Sequence, residues 1–281
     1  MLTPGIYMWN WSLFVISLLL LAAPTAASDL LREQQSALEI TGNLVVGKAI
    51  TLKAGDLEFL AIHGESSNKT IKGAVILLHG MGANPAWSVV VQPMRMDLTE
   101  HGWETLSLQM PLAPLGAADW AYEALIPEAA PRILAAIEFL KQRKLDKIVI
   151  IGHSLGARMG LESIAAGVSK EVIAFVAVGT PTKLEEPDAG TLAALKKIKL
   201  PILDLYGSRD LPSVLSSTKN RMAAARQASN SGYQQVEIIG ADHYFRGLED
   251  SLLARVNSWI SRQAAESRMV DDVAETNKPK Q

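Results

Sequence analysis

The sequence predicts an α/β fold with a mostly parallel central sheet. Short apolar runs, which are typical of strands buried on both faces of a sheet, occupy residues 73–78, 147–151, 172–178 and 202–206. Segments with helical patterning follow these runs, at residues 89–100, 128–144, 155–166 and 216–229. Strands that alternate with helices in this way pair in parallel, and the helices cover both faces of the sheet.

The remaining elements extend this sheet at both ends. Residues 44–52 and 57–62 have β-type patterning, and the Lys-Ala-Gly-Asp between them is a turn signal, so we predict an antiparallel hairpin at a sheet edge. The polar residues 28–39 before it are expected to be helical or loose. Further strands are predicted at residues 105–109 and 235–239, and further helices at residues 192–197 and 248–263.

A chain of 281 residues without any linker-like segment favours one large domain. We expect a signal peptide over residues 1–27, a single domain over residues 28–266 and a disordered polar tail over residues 267–281. Residues 11–23 form an apolar stretch, and small side chains at Thr25 and Ala27 fit cleavage after Ala27. No Lys or Arg precedes Arg32, so an uncleaved signal anchor remains the alternative. Either form is exported, to the periplasm or outside the cell, and the second would be membrane-anchored.

Composition excludes several classes of function. A net charge of −2 with scattered basic residues argues against binding to nucleic acid or to anionic membranes. The chain has no cysteine, which rules out disulfides, cysteine-ligated metals and thiol nucleophiles. The signatures of phosphate-binding loops, dinucleotide-binding folds and zinc proteases are missing. We therefore expect neither a cofactor nor a metal, and the oligomeric state stays open.

The sequence Gly-His-Ser-Leu-Gly at residues 152–156 places Ser154 between a predicted strand and a predicted helix. This is the G-x-S-x-G nucleophile elbow in strand–turn–helix context. The turn is strained and crowded, and glycine at its flanks removes the collisions that a Cβ would cause. Ser154 is therefore the candidate nucleophile.

A serine hydroxyl needs a base to take its proton, and His243 is the best candidate. It follows the last predicted strand, at the sheet edge where the carboxyl ends of parallel strands gather and where Ser154 also lies. The other four histidines, His63, His79, His101 and His153, each have a structural interpretation. Only His243 lies where a base is required.

The base in turn needs a carboxylate, and Asp210 lies just beyond the strand at residues 202–206, on the same edge. Asp204 lies within that strand and is expected to have a hydrogen-bonded structural role. Asp188 follows the preceding strand and stays an alternative, as does Asp204, whereas Asp242 adjoins His243 too closely for good side-chain geometry. The resulting order is serine, aspartate, histidine.

An acyl-transfer site also needs donors for the oxyanion of the tetrahedral intermediate. The backbone N–H of Leu155, at the start of the predicted helix, is one candidate. The glycine-rich turn at residues 79–85 follows a buried strand, and Met81 N–H is the second candidate.

Four segments together resemble the α/β-hydrolase superfamily: Leu-Leu-His-Gly-Met-Gly at residues 77–82, the elbow, Gly207 to Asp210, and Gly-Ala-Asp-His at residues 240–243. Residues 84–95 and 102–108 are similar to a bacterial branch known mainly as a domain of unknown function. The resemblance implies the α/β-hydrolase fold over about residues 44–263. It also implies a triad of Ser154, Asp210 and His243, with an oxyanion hole at Met81 and Leu155.

These observations predict an exported serine hydrolase that cleaves an ester, thioester or related acyl bond of a small or envelope-bound substrate. Two alternatives remain: an acyltransferase with the same triad, and a non-catalytic envelope protein that uses the fold for binding. Residues 180–199 leave too little chain for a full cap over the site. Trp120 and Tyr122 either border the substrate pocket or cover the core.

Overall fold

The computed structural model describes residues 28–276 except for Ser169, Lys170, Leu184 and Pro187, and beyond residue 269 it describes the course of the backbone only. The predicted signal peptide at residues 1–27 lies outside the described residues. Within the described part of the chain, no helix is both long and apolar enough to cross a membrane.

The central sheet has eight strands in the order β1-β2-β4-β3-β5-β6-β7-β8. The strands are β1 (Lys48–Ala54), β2 (Leu57–Gly64), β3 (Gly73–Leu78), β4 (Trp103–Leu108), β5 (Ile148–His153), β6 (Val172–Val178), β7 (Ile202–Arg209) and β8 (Tyr233–Asp242). Strands β1 and β2 form an antiparallel hairpin, and β2 also pairs with β4 in antiparallel fashion. Each further pair of neighbours in this order, from β4 and β3 to β7 and β8, is parallel. The mostly parallel sheet with an N-terminal hairpin is confirmed.

Helices cover both faces of this sheet. They are α1 (Leu30–Asn43), α2 (Val91–Glu100), α3 (Asp119–Glu123), α4 (Ala129–Gln142), α5 (Leu155–Ala165), α6 (Gly190–Leu195), α7 (Pro212–Leu215), α8 (Thr218–Gln227) and α9 (Glu249–Thr276). The core over one face includes Ile76, Ile150 and residues of α4, α5 and α6. The core over the other face includes Val75, Val149 and residues of α2 and α9. Consecutive strand residues thus serve opposite cores, as alternation along a strand requires.

The structure differs from the predicted elements at helix α9 and at the short helices α3 and α7. Helix α9 continues to Thr276, although the sequence predicted its end at residue 263 and a disordered tail from residue 267. Residues 267–276 are helical because they contain neither glycine nor proline and nothing ends the helix. Helices α3 and α7 were not predicted, since such short segments show no recognisable period.

Two connections set the shape of the functional edge, where the parallel strands have their carboxyl ends. We call residues 109–128 the crossing segment, because they lead from the carboxyl end of β4 to the start of α4 and contain α3. The connection from β6 to β7 carries the short helix α6, and the expectation of little or no cap is confirmed. The site at this edge is therefore covered mainly by loops.

Helix α1 is attached to this edge by a buried ion pair. Arg132 of α4 is fully buried and donates from Nη1 to Glu33 Oε2 at 2.8 Å and from Nη2 to Glu33 Oε1 at 3.1 Å. The same guanidinium donates to the carbonyl oxygen of Gln109 at 2.9 Å, and Glu33 Oε1 accepts from the Leu112 amide at 3.0 Å. One pair therefore holds α1, α4 and the start of the crossing segment together.

Substitution Glu33→Ala should lower the free energy of unfolding by about 3 kcal/mol, because it removes the carboxylate that is hydrogen-bonded to the buried guanidinium of Arg132 and leaves Glu128, at 3.9 Å, as the nearest counter-charge. The exposed pair Lys53–Glu58 provides the control, and Glu58→Ala should cost less than about 1 kcal/mol. Urea denaturation measures both values. Equal losses for the two variants would contradict this assignment.

Candidate active site

Ser154 lies at the turn between β5 and α5, in a backbone conformation that side chains rarely adopt. Its φ is 55° and its ψ is −122°, and its amide donates to the Val178 carbonyl at 2.8 Å. A single residue thus reverses the chain from strand to helix, which stores strain and exposes the hydroxyl at the carboxyl edge of the sheet.

The glycines on either side make this turn possible. A Cβ on Gly152 would lie 2.4 Å from the Cα of Ala157, and a Cβ on Gly156 would lie 2.4 Å from the carbonyl oxygens of Leu78 and His79. These contacts are with backbone, which cannot move aside. The elbow therefore requires glycine at both positions, as the sequence predicted.

His243 and Asp210 form a hydrogen-bonded pair at the same edge. The distance between His243 Nδ1 and Asp210 Oδ1 is 2.6 Å, and both side chains are almost fully buried. Since a carboxylate only accepts, Nδ1 carries the proton, which leaves Nε2 of the neutral ring as an acceptor. This is the tautomer that a base for a serine hydroxyl needs.

Asp210 is held in its ionised form. Burial by itself would raise its pKa, but the hydrogen bond and charge of His243 lower the pKa below its usual value. The amides of Leu211 and Gly207 act in the same direction, donating to Oδ1 at 2.7 Å and to Oδ2 at 3.3 Å. The carboxylate can therefore orient His243 and stabilise a positive charge on it.

The two other candidate carboxylates lie in different surroundings. Asp204 is buried within β7, where its oxygens accept from Arg221 Nε at 2.7 Å, from the Tyr233 hydroxyl at 2.5 Å and from Gln235 Nε2 at 2.9 Å. Its structural role matches the expectation. Asp188 is 90% exposed and bonded to Lys196 at 2.7 Å. Among the three aspartates, Asp210 is the one that contacts His243.

A cavity of about 430 Å³ brings the predicted site residues together. Ser154, His243, Met81 and Leu155 all line it. The amide of Leu155 belongs to the first turn of α5, where N–H groups have no acceptor within the helix. The rest of the wall consists of Gly80, Ala83, Trp87, Asp119, Glu123, His153, Arg158, Pro181, Thr182, Lys183, Leu211, Ser213 and Tyr244.

The loop that carries Met81 is fixed by His79. Its Nε2 accepts from the Met110 amide at 2.9 Å, so Nδ1 carries the proton and donates to the Gly80 carbonyl at 2.8 Å. Burial lowers the pKa of His79 from 6.5 to about 4, so the ring is neutral at pH 7. His79 therefore positions the turn next to Ser154, a function that its place in the sequence could not reveal.

His153 contacts His243 through a hydrogen bond and through its ring. Its Nε2 donates to the carbonyl oxygen of His243 at 3.0 Å, and the centroids of the two rings are 4.9 Å apart. Burial lowers the pKa of His153 from 6.5 to about 4, and the neighbouring His243 acts in the same direction. The sequence showed His153 only as the variable position of the elbow.

Sequence reasoning also missed charged residues that line the cavity. Arg158 of α5 donates from Nη1 to Glu123 at 2.6 Å and from Nε to Glu162 at 2.7 Å. Lys183 lies 3.2 Å from the same Glu123 oxygen. Sequence reasoning gave Arg158 no role, because its partner Glu123 lies in α3, which was not predicted.

The two aromatic residues of the crossing segment were expected either to border the pocket or to cover the core, and they do not share one environment. Tyr122 packs in the core, and Trp120 is 76% exposed to solvent. Asp119 and Glu123, the ends of the same short helix, line the cavity instead. Among the residues that the structure describes, no cluster of three or more histidine or acidic side chains could hold a metal ion.

The buried neutral histidine His153 should make folding sensitive to acid. The unfolded chain takes up a proton near pH 6.5 and the native ring only near pH 4, so stability is lost as the pH falls through this range. The loss attributable to His153 is on the order of 3 kcal/mol at pH 4. Urea denaturation between pH 7 and 4 should show a shallower dependence for His153→Gln than for the unchanged chain. The exposed His101→Gln is the control, and an equal change in slope would contradict the prediction.

Comparison with solved structures identifies the fold. An esterase of Pyrococcus furiosus is 17% identical, covers 77% of this chain and 90% of its own, and superposes with a TM-score of 0.64. Est1E of Butyrivibrio proteoclasticus is 15% identical, with coverages of 78% and 99% and a TM-score of 0.62. A dienelactone hydrolase of Anabaena variabilis is 21% identical, with coverages of 77% and 97% and a TM-score of 0.60. At these identities the likeness shows the α/β-hydrolase fold alone.

Comparison at the level of sequence identifies the family. No curated protein matches the chain. A family model described as "Protein of unknown function (DUF3530)" matches residues 21–129 and 116–262, which together include the elbow, Asp210 and His243. The chain therefore belongs to the DUF3530 family and has the fold of the α/β hydrolases.

Proposed function

We propose that this protein is an exported serine hydrolase that cleaves an ester, thioester or related acyl bond through an acyl-enzyme on Ser154. The observation that carries the proposal is the 2.6 Å pair of His243 and Asp210 at the cavity that Ser154 also lines. The solved structures similar to this chain include esterases, which agrees with the proposed reaction class. Export rests on the apolar segment at residues 11–23.

The first half of the proposed reaction acylates the enzyme. His243 Nε2 takes the proton of Ser154 as the serine oxygen attacks the carbonyl carbon of the substrate. The negative charge that develops on the carbonyl oxygen accepts hydrogen bonds from the amides of Leu155 and Met81. The bond to the leaving group then breaks, and His243 gives its proton to the departing alcohol or thiol.

The second half regenerates the enzyme with water. His243 takes a proton from a water molecule, whose oxygen attacks the acyl carbon, and returns that proton to Ser154 as the ester bond to the enzyme breaks. Asp210 stabilises the charged ring in both halves, since its carboxylate accepts from Nδ1 throughout. One water is consumed and one acid is released in each cycle.

A fluorophosphonate probe tests the nucleophile directly. The folded protein should be labelled covalently, and Ser154→Ala should not be labelled, because the probe reacts only with an activated serine. Intact mass spectrometry measures the adduct, and circular dichroism checks that the variant is folded. Labelling that is absent from the folded protein, or equal in Ser154→Ala, would overturn the proposal and favour a non-catalytic role.

Hydrolysis of a nitrophenyl ester distinguishes the carboxylates. Asp210→Asn should lower kcat by roughly 10³–10⁴, because the amide cannot hold the required tautomer of His243 or stabilise its charge. Asp188→Asn is the matched control and should retain full activity, since its side chain is exposed and bonded to Lys196. A large loss for Asp188→Asn with none for Asp210→Asn would reassign the acid.

A further inference from the structure

Exposed apolar side chains occur both in the lining of the active-site cavity and in the crossing segment, which contributes Asp119 and Glu123 to that lining. Met81 and Leu211 line the cavity and are 42% and 43% exposed. Leu115 and Trp120 belong to the crossing segment and are 86% and 76% exposed. We call these four residues the mouth rim. Apolar side chains grouped at the entrance of a pocket commonly mark a site of contact with another surface.

Helical geometry explains why Trp120 points away from the cavity. Asp119 and Glu123 are one turn apart in α3, so they lie on the same face, and this face lines the cavity. Trp120 follows Asp119 directly and lies on a different face, whereas Tyr122 fills the core. The indole thus contributes neither to the pocket nor to the core. Tryptophan is enriched where proteins meet the boundary between lipid and water.

The chain enters the domain at the same edge. The Ser28 amide donates to Glu128 Oε1 at 3.1 Å, and Arg132 Nη2 donates to the Ser28 hydroxyl at 3.2 Å. The Asp29 amide donates to the Leu112 carbonyl at 2.7 Å. Glu128 and Leu112 belong to the crossing segment, so Ser28 is fixed beside the segment that carries Leu115 and Trp120.

This entry point limits how the domain lies when residues 11–23 are held in a bilayer. Only residues 24–27 separate the apolar stretch from Ser28, and the Cα–Cα steps from Ala23 to Ser28 span at most about 18 Å in a fully extended chain. Ser28 would therefore lie within that distance of the lipid, and Leu112 and Glu128 of the crossing segment are bonded beside it. Val45 does not line the cavity, and it is separated from this entry point by the 14 residues of α1, which form about 21 Å of helix.

We infer that the mouth rim contacts the surface of a lipid bilayer and that the substrates are acyl lipids drawn from that surface. The identity of the substrates rests on the proposed function, whereas the contact itself does not. The surface is neutral or zwitterionic, because the cavity lining carries Asp119 and Glu123, and the cations Arg158 and Lys183 of the same lining both bind Glu123. Apolar burial, rather than attraction to anionic headgroups, supplies the affinity.

Single cysteines report the contact without ambiguity, because the chain has none of its own. Leu115→Cys and the control Val45→Cys are made in the full chain and labelled with a polarity-sensitive fluorophore. The side chain of Val45 is 93% exposed, so a label there is in water before vesicles are added. On phosphatidylcholine vesicles, the label at position 115 should shift to the blue and be quenched by nitroxide lipids. The label at position 45 should do neither.

Three results would overturn the contact. The first is that neither label responds to vesicles, and the second is that both labels respond equally. The third is that the label at position 115 shifts with protein concentration in the absence of vesicles, which would indicate a second copy of the chain. Vesicles that contain phosphatidylglycerol should bind no more tightly than phosphatidylcholine alone, and tighter binding would overturn the neutral surface. Ser154→Ala in the same labelled chain should respond to vesicles like the active chain.

Hydrolysis assays test the substrates separately. The double variant Leu115→Ser and Trp120→Ser should cleave a long-chain acyl ester embedded in phosphatidylcholine vesicles at least about tenfold more slowly. Its activity on dissolved nitrophenyl acetate should be unchanged, as should both activities of Val45→Ser. Equal losses on both substrates would assign the rim a structural role. If the chain cleaves neither substrate while position 115 still responds to vesicles, the proposed function fails and the bilayer contact stands.

Discussion

The close approach of β5, α5 and β3 at the elbow is the constraint on which the rest of the site depends. Gly156 lies against the backbone of Leu78 and His79, and Gly152 lies against Ala157, so the strand must turn into the helix through Ser154 alone. This contact places the serine and the Met81 loop side by side. His79 then fixes the loop through two hydrogen bonds that require a neutral ring.

Asp204 and Asp210 show that the surroundings of a carboxylate decide whether it has a structural role or is placed to take part in the proposed reaction. Asp204 lies inside β7 and is surrounded by Arg221, Tyr233 and Gln235, which satisfy its charge within the core. Asp210 lies after the strand and meets His243 at the cavity. Both carboxylates are buried, so burial alone does not distinguish them. Their partners do, because one is bonded to a permanent cation and the other to a group that can gain and lose a proton.

Much of the fold could be predicted because its signals are local. The buried runs at β3 and β6 coincide with the predicted strands, and the elbow, Asp210 and His243 follow strand ends that periodicity identifies. Helix α3 could not be predicted, and with it the partner of Arg158 was missed. The pair of Glu33 and Arg132 was also missed, because its members are far apart in the chain and neither occurs in a recognisable motif.

The sequence by itself determined the class of fold, the order of strands and helices, and the residue types that stand at the strand ends. These depend on hydrophobic period and on glycine at strained turns, which act over a few neighbouring residues. Only the tertiary structure decided which carboxylate meets His243, that His79 and His153 are buried and neutral, and that Trp120 is left exposed to water. Each of these depends on contacts between distant segments and on the exclusion of water, which no local pattern specifies.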